Sequence, residues 1–248
     1  MQVGSDGVWQ NGVMADGKSS SSPRTRTRGG RDALISAGAE LFADRGIEGV
    51  SLREVTRAAG QRNSTALQYH FGGRAGLVKA VVERGASSVA IRRHALLDRQ
   101  AQCRVTTVRD VASLYVIPLI GELDSGPFGR AFLQVVSHLM NSASQELAPG
   151  DALWSLIHDN EGSMERWISL CDPVLPAASV GRPLHRRFTA IRLAHVELAR
   201  RARSAVSGSS PLFVSHLTDI VEVVMAVPPS PQTLALLGSA GGAMDGVA

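Results

Sequence analysis

Hydrophobic side chains recur three and four residues apart along this chain, and the segments that carry the pattern read as helices. Residues 31–45 turn Leu34, Ala37 or Gly38, Leu41 and Phe42 inward and stop at Gly46. Ser51 followed three residues later by Glu54 spells a capping box, after which Leu52, Val55 and Ala59 give a short helix its apolar face and Gly60 ends it. Gln61, Arg62 and Asn63 make a polar turn, Asn63 or Ser64 caps a second short helix, and Leu67 and Phe71 are its inward residues. Gly72 and Gly73 close it. Arg74 to about Leu97 then reads as one long helix with Leu77, Val81, Ser88 and Ile91 on a face. From residue 105 onward helical segments fall at about 107–123, 128–145, 151–171, 183–206 and 211–226, separated by Gly126-Pro127, Pro149-Gly150 and the stretch from Asp172 to Pro183. The expected fold class is all-α.

Helix, short glycine-containing turn and helix between residues 51 and 71 is the helix-turn-helix pattern. Periodicity alone serves an ordinary helical hairpin as well. The outward residues decide between them: Arg, Asn, Thr, Gln, Tyr and His, without a carboxylate, can donate to phosphates and base edges, whereas a merely solvated face mixes its signs. Ser51, Arg53, Tyr69, His70 and Arg74 are the candidate phosphate contacts; Arg62, Asn63, Thr65 and Gln68, with Ser64 at the cap, are the candidate base-reading group.

Charge sharpens this reading. The formal net charge is +4, and all of it belongs to residues 1–84, which hold twelve Lys/Arg against eight Asp/Glu, while residues 85–248 hold fourteen of each. A basic excess confined to one end is the footprint of a phosphate-binding module. Residues 1–30, rich in Gly and Ser and closing on Arg24, Arg26 and Arg28, read as a disordered basic tail, either a solubilising extension or an arm for the minor groove.

These residues bring a family into view. Leu34 to Val82 resembles the DNA-binding domain of the tetracycline-repressor (TetR) family, through L-F-A-D-R-G at 41–46, Val50-Ser51-Leu52-Arg53-Glu54-Val55, Ala59-Gly60, Tyr69-His70-Phe71 and Gly73-Arg74. The resemblance implies an N-terminal three-helix helix-turn-helix domain and a C-terminal helical domain that binds a small-molecule effector and dimerises. It departs from the family pattern at Gln68, where a phosphate-contacting Tyr is usual, and in a turn one residue longer. The expected divisions are a tail at 1–30, a DNA-binding domain at 31–84, an effector-binding and dimerisation domain at 85–227 and a flexible C-terminal tail at 228–248.

In the C-terminal half, Phe188, Ile191, His195 and Leu198 form one apolar stripe and Phe213, Leu217, Ile220 and Val224 another. Both serve a packed chain core equally well by periodicity. The resemblance makes them the candidate dimer interface, because family members pair their last two long helices between subunits. Tyr115, Phe132, His138, Trp154, His158 and Trp167, flanked by Phe128 and Met140, are the candidate effector-pocket residues, for which plain core is the competing reading.

Catalysis finds little support. There is no G-x-S-x-G, no H-E-x-x-H, no phosphate-binding glycine loop and no Cys/His metal spacing, so no catalytic residue, metal or cofactor is assigned. Cys103 and Cys171, far apart, read as reduced thiols. No apolar run reaches a membrane span; the longest, Val111 to Ile120, contains Pro118. The expectation is a cytoplasmic homodimeric repressor of double-stranded operator DNA, released by a small apolar effector. Its alternatives are a regulator with a protein partner or no ligand and, more remotely, an all-helical enzyme or carrier.

Overall fold

A computed structural model of the chain describes residues 23–61, 65–103, 106–141, 160–181, 183–204 and 208–244. In order the helices are α1 (Pro23–Arg45), α2 (Leu52–Ala58), α3 (Thr65–Phe71), α4 (Arg74–Gln100), α5 (Val108–Asp124) and α6 (Pro127–Asn141). A 3-10 turn at Asn160–Gly162 leads into α7 (Ser163–Cys171), followed by α8 (Ala177–Val180), α9 (Arg186–Arg203), α10 (Pro211–Ala226) and α11 (Pro231–Met244). Among the described residues there is no strand, as an all-α chain requires.

The helix starts follow from local chemistry. The Ser51–Glu54 capping box forms: the Ser51 amide donates to Glu54 Oε2 at 2.8 Å and the Glu54 amide to Ser51 Oγ at 3.3 Å. A second box at α5 pairs Thr107 and Asp110 in the same reciprocal way. Ser210 caps α10 by accepting from the Phe213 amide at 3.2 Å, with Pro211 at the first helical position where its missing N–H costs nothing. Gly60, at φ 66°, supplies the left-handed turn after α2 that a side chain would strain.

Four expectations change. Helix α1 begins at Pro23, ahead of the expected start at Arg31, so 23–30 is helical and not tail; proline's fixed φ suits a first helical position. The expected C-terminal tail contains α11, whose start is capped where Ser230 Oγ accepts from the Thr233 amide at 3.2 Å. The stretch read as loop from Asp172 to Pro183 holds the short α8. On α4, Ile91 is 65% exposed; the buried face runs instead through Leu77, Val81, Ala86, Val89, Arg93 and Leu97.

Buried side chains from Leu34 to Met225 form one hydrophobic cluster. Helix α1 packs on α2, α3 and α4 and also on α6, and α4 runs past residue 84 to pack on α5, α6 and α7. Arg84 secures this junction, its guanidinium 4.2 Å from the Phe128 ring centre and Nη1 3.1 Å from Ser36 Oγ on α1. Helix α9 lies on α5, α6 and α10. Glu122, buried on α5, is matched by Arg92 from α4 and by Ser125 Oγ at 3.0 Å, so its charge is compensated. No single helix is long and apolar enough to cross a membrane; α10 with α11 has the length and composition only as a pair bent by 50°.

Candidate nucleic-acid interface and a buried polar cluster

Helices α2 and α3 both pack on α1, with Val55 and Leu67 turned into the core. Their outer surface carries Arg53, Arg57, Thr65, Gln68 and Tyr69, all exposed, and Tyr69 is 84% exposed. His70 is half-buried, edge-on to Tyr69 and beside Phe71, whose ring has Arg31 Cζ 5.3 Å from its centre. Arg62, Asn63 and Ser64, the centre of the candidate base-reading group, lie outside the described residues.

Three candidates are already engaged within the chain. The Ser51 hydroxyl donates to Glu54 Oε2 at 2.7 Å as part of the cap. Glu54 in turn accepts from Arg45 at 2.9 Å, and the Ser51 hydrogen bonds, more than Arg45, hold its carboxyl below the ordinary value. The Gln68 amide nitrogen donates to the Gly72 carbonyl at 3.3 Å at the end of α3. Arg74 differs most from expectation. Its Nη1 donates to the Ile47 carbonyl at 2.5 Å and pairs with Glu48 at 3.2 Å, making it a strut from α4 to the loop before α2.

Arg74→Ala should therefore weaken operator binding by loosening that strut, while the slope of log affinity against log salt stays within about half a unit of wild type. A true phosphate contact would lower the slope by roughly one. Titrations at several salt concentrations read the difference, and a full unit lost would return Arg74 to the phosphate contacts.

In the C-terminal half a polar cluster sits inside apolar walls. Arg93, Tyr115, Ser163 and His195 meet Ala86, Val89, Leu119, Phe132 and Met164 around a cavity with about 10 Å³ of free space, room for about one water. The candidates Tyr115 and Phe132 line it. Trp167 backs it, its ring 5.0 Å from Tyr115 and its Nε1–H donating to the Val111 carbonyl at 2.7 Å, which is a packing role. His138 is exposed and apart from the cavity; Trp154 and His158 lie outside the described residues. Arg93 was not foreseen. Its signal was available, since it shares helical spacing with Ala86, Val89 and Leu97.

The candidate dimer stripes divide. Ile191, His195, Leu198 and Leu217 are at most 5% exposed within one protomer, so they pack in its own core. Phe188, Phe213, Ile220 and Val224 are half-buried. The period could not tell the inward from the outward face of these helices, as each carries apolar residues on both. Val223 is exposed on α10 near the half-buried Ile220, and Val227 just past the helix end and Val196 on α9 are exposed as well.

His195 Nδ1 lies 3.0 Å from the Ile191 carbonyl and 3.3 Å from the Tyr115 hydroxyl, which assigns the proton to Nδ1. Burial, with Arg93 nearby, lowers its pKa to about 4 from the ordinary 6.5, the Ile191 carbonyl opposing the shift. The unfolded chain therefore takes up this proton first as pH falls. Stability from His195 is complete above pH 6.5 and is lost between about 6.5 and 4, on the order of 3 kcal/mol in all. Thermal midpoints measured from pH 7.5 to 4.5 should show that decline, and His195→Gln should flatten it; parallel curves would reject the assignment. Burial likewise raises the Tyr115 hydroxyl and pushes the Cys171 thiol up to about 12, while the other free cysteine, Cys103, is exposed.

Residues 34–81 match the family described as bacterial regulatory proteins, tetR family. No curated protein sequence matches the chain. Among solved structures, Mycobacterium smegmatis AmtR is similar at 17% identity and TM-score 0.52, over 81% of this chain and 87% of that one. HlyIIR, a hemolysin II transcriptional regulator, is similar at 14% identity and TM-score 0.50, over 81% and 99%. A TetR-family regulator from Rhodococcus sp. is 24% identical with TM-score 0.48, over 79% and 99%. At such identities the likeness is one of fold.

Proposed function

The chain belongs, through residues 34–81, to the tetR family of bacterial regulatory proteins, and from that premise we propose that it is a repressor. It binds a near-palindromic operator as a homodimer and leaves it when a small molecule enters the C-terminal domain. That it is a DNA-binding transcriptional regulator follows from the family; the rest is our reading.

The observation that carries DNA docking is the 84%-exposed Tyr69 on α3, with Thr65 and Gln68 of α3 and Arg53 and Arg57 of α2 also exposed. Gln matches adenine, and the hydroxyls serve bases or phosphates. One such helix makes few base contacts, so specificity needs a second copy. The apolar outer residues of α10 support a two-fold interface, which places half-sites about one helical turn or a multiple apart, roughly 34–36 Å. The cavity against α4 supports effector control, because α4 runs from it to the reading helices. A bound dimer represses simply by obstructing polymerase in the cytoplasm.

Fluorescence anisotropy on DNA flanking the protein's own gene tests the reading. Wild type should select one fragment over random DNA, and Tyr69→Ala should weaken that binding by roughly 5- to 150-fold, about 1–3 kcal/mol. Equal affinity for every fragment would refute an operator-specific regulator.

A further inference from the structure

Arg93 is 4% exposed, lines the cavity, and its Nε has no hydrogen-bond partner. Its Nη1 donates to Ser163 Oγ at 3.1 Å, and its Cζ lies 5.4 Å from the Tyr115 ring centre. Among the described residues no carboxylate lies within ion-pair distance of it, in contrast to its neighbour Arg92, which has Glu122. A buried guanidinium without a counter-charge is costly, and chains keep such groups where something else supplies the charge.

Resting on the effector-controlled reading above, we propose that the effector is a monocarboxylic acid on an apolar body, its carboxylate received by Arg93 and Ser163. One guanidinium balances one carboxylate, and the planar fork, with Nε still open, matches a carboxylate in two parallel hydrogen bonds. A phosphate monoester would carry up to twice that charge into a site with a single cation. The Tyr115 hydroxyl is a further donor at the cavity, and Val89, Leu119, Phe132 and Met164 suit a hydrocarbon or aromatic body.

About 10 Å³ does not hold that body, so binding must move the wall. Phe132 is the part that transmits the movement: a Cβ on Gly85 of α4 would sit 2.2 Å from its ring, which shows how closely the ring lies against that helix. Displacing Phe132 therefore displaces α4, which packs on α3 and whose first turn holds the loop before α2 through Arg74. The ligand is linked to DNA by its preference for the shifted state.

Calorimetry in chloride-free buffer tests the assignment, using straight-chain acids from acetate to decanoate, benzoate and phenylacetate, each beside its neutral primary amide. At least one acid should bind, its amide at least 30-fold more weakly. Arg93→Met should abolish binding of that acid while circular dichroism stays native, and Arg93→Gln serves in its place if the Met variant does not fold. An amide that binds as well as its acid, an unchanged affinity in both variants, or no binding by any acid would each overturn the proposal. Gel shifts separate it from the reading on which it rests. A neutral amide that binds and releases DNA leaves effector control standing and removes the anion site. An acid bound through Arg93 that leaves DNA binding untouched keeps the site and removes effector control.

Discussion

Val223→Glu should yield a folded monomer whose operator affinity falls by roughly 1,000-fold or more, toward the nonspecific level. Val223 is 58% exposed on α10, and Ile220 and Val227 stand three and four residues away on the same side. A carboxylate there meets its own copy across a two-fold axis, where like charges repel, and costs the protomer little. Leu198→Glu is the contrast. Leu198 is fully buried in the protomer, so a charge there should unfold the chain rather than divide a dimer. Light scattering and anisotropy together read both outcomes. A Val223→Glu protein that remains a dimer would remove this face of α10 as the interface.

Gly76→Val should abolish operator binding and lower the thermal midpoint steeply, with a cost on the order of 4 kcal/mol, at the upper end for single substitutions. A Cβ at Gly76 would stand 1.8 Å from the Phe71 carbonyl oxygen, and that oxygen is backbone and cannot swing aside. The first turn of α4 touches the end of α3 there, so accommodation must shift the reading helix. Circular dichroism melts and binding assays check it; native affinity in a Gly76→Val protein would show that α3 tolerates displacement, and the proposed route from cavity to DNA would lose its rigid joint.

Local chemistry was legible in the sequence. Ser51 and Glu54 capped where they were expected to, Gly60 turned the chain, and Leu67 faced the core, because each effect acts within a few residues. What depended on the partner of a side chain was not legible. Arg74 looked like any outward cation, and only the return of the loop at Ile47 makes it a strut. The same holds for His195, whose stripe reads as interface until α5 brings Tyr115 against it. Helix α11 was missed because small residues after paired prolines have breaker chemistry, and the Ser230 cap outweighed it. The candidate base-reading residues Arg62 and Asn63, with Ser64 at the expected cap, lie outside the described residues.

The packing of α1 against α6, with Arg84 joining Ser36 to Phe128, leaves no cleavage plane between the two halves. The DNA-reading helices are therefore not a portable module. Cutting the chain after α4 would strip the cover from Val89 and Leu97, and grafting the N-terminal helices onto another domain would require carrying the α6 surface along.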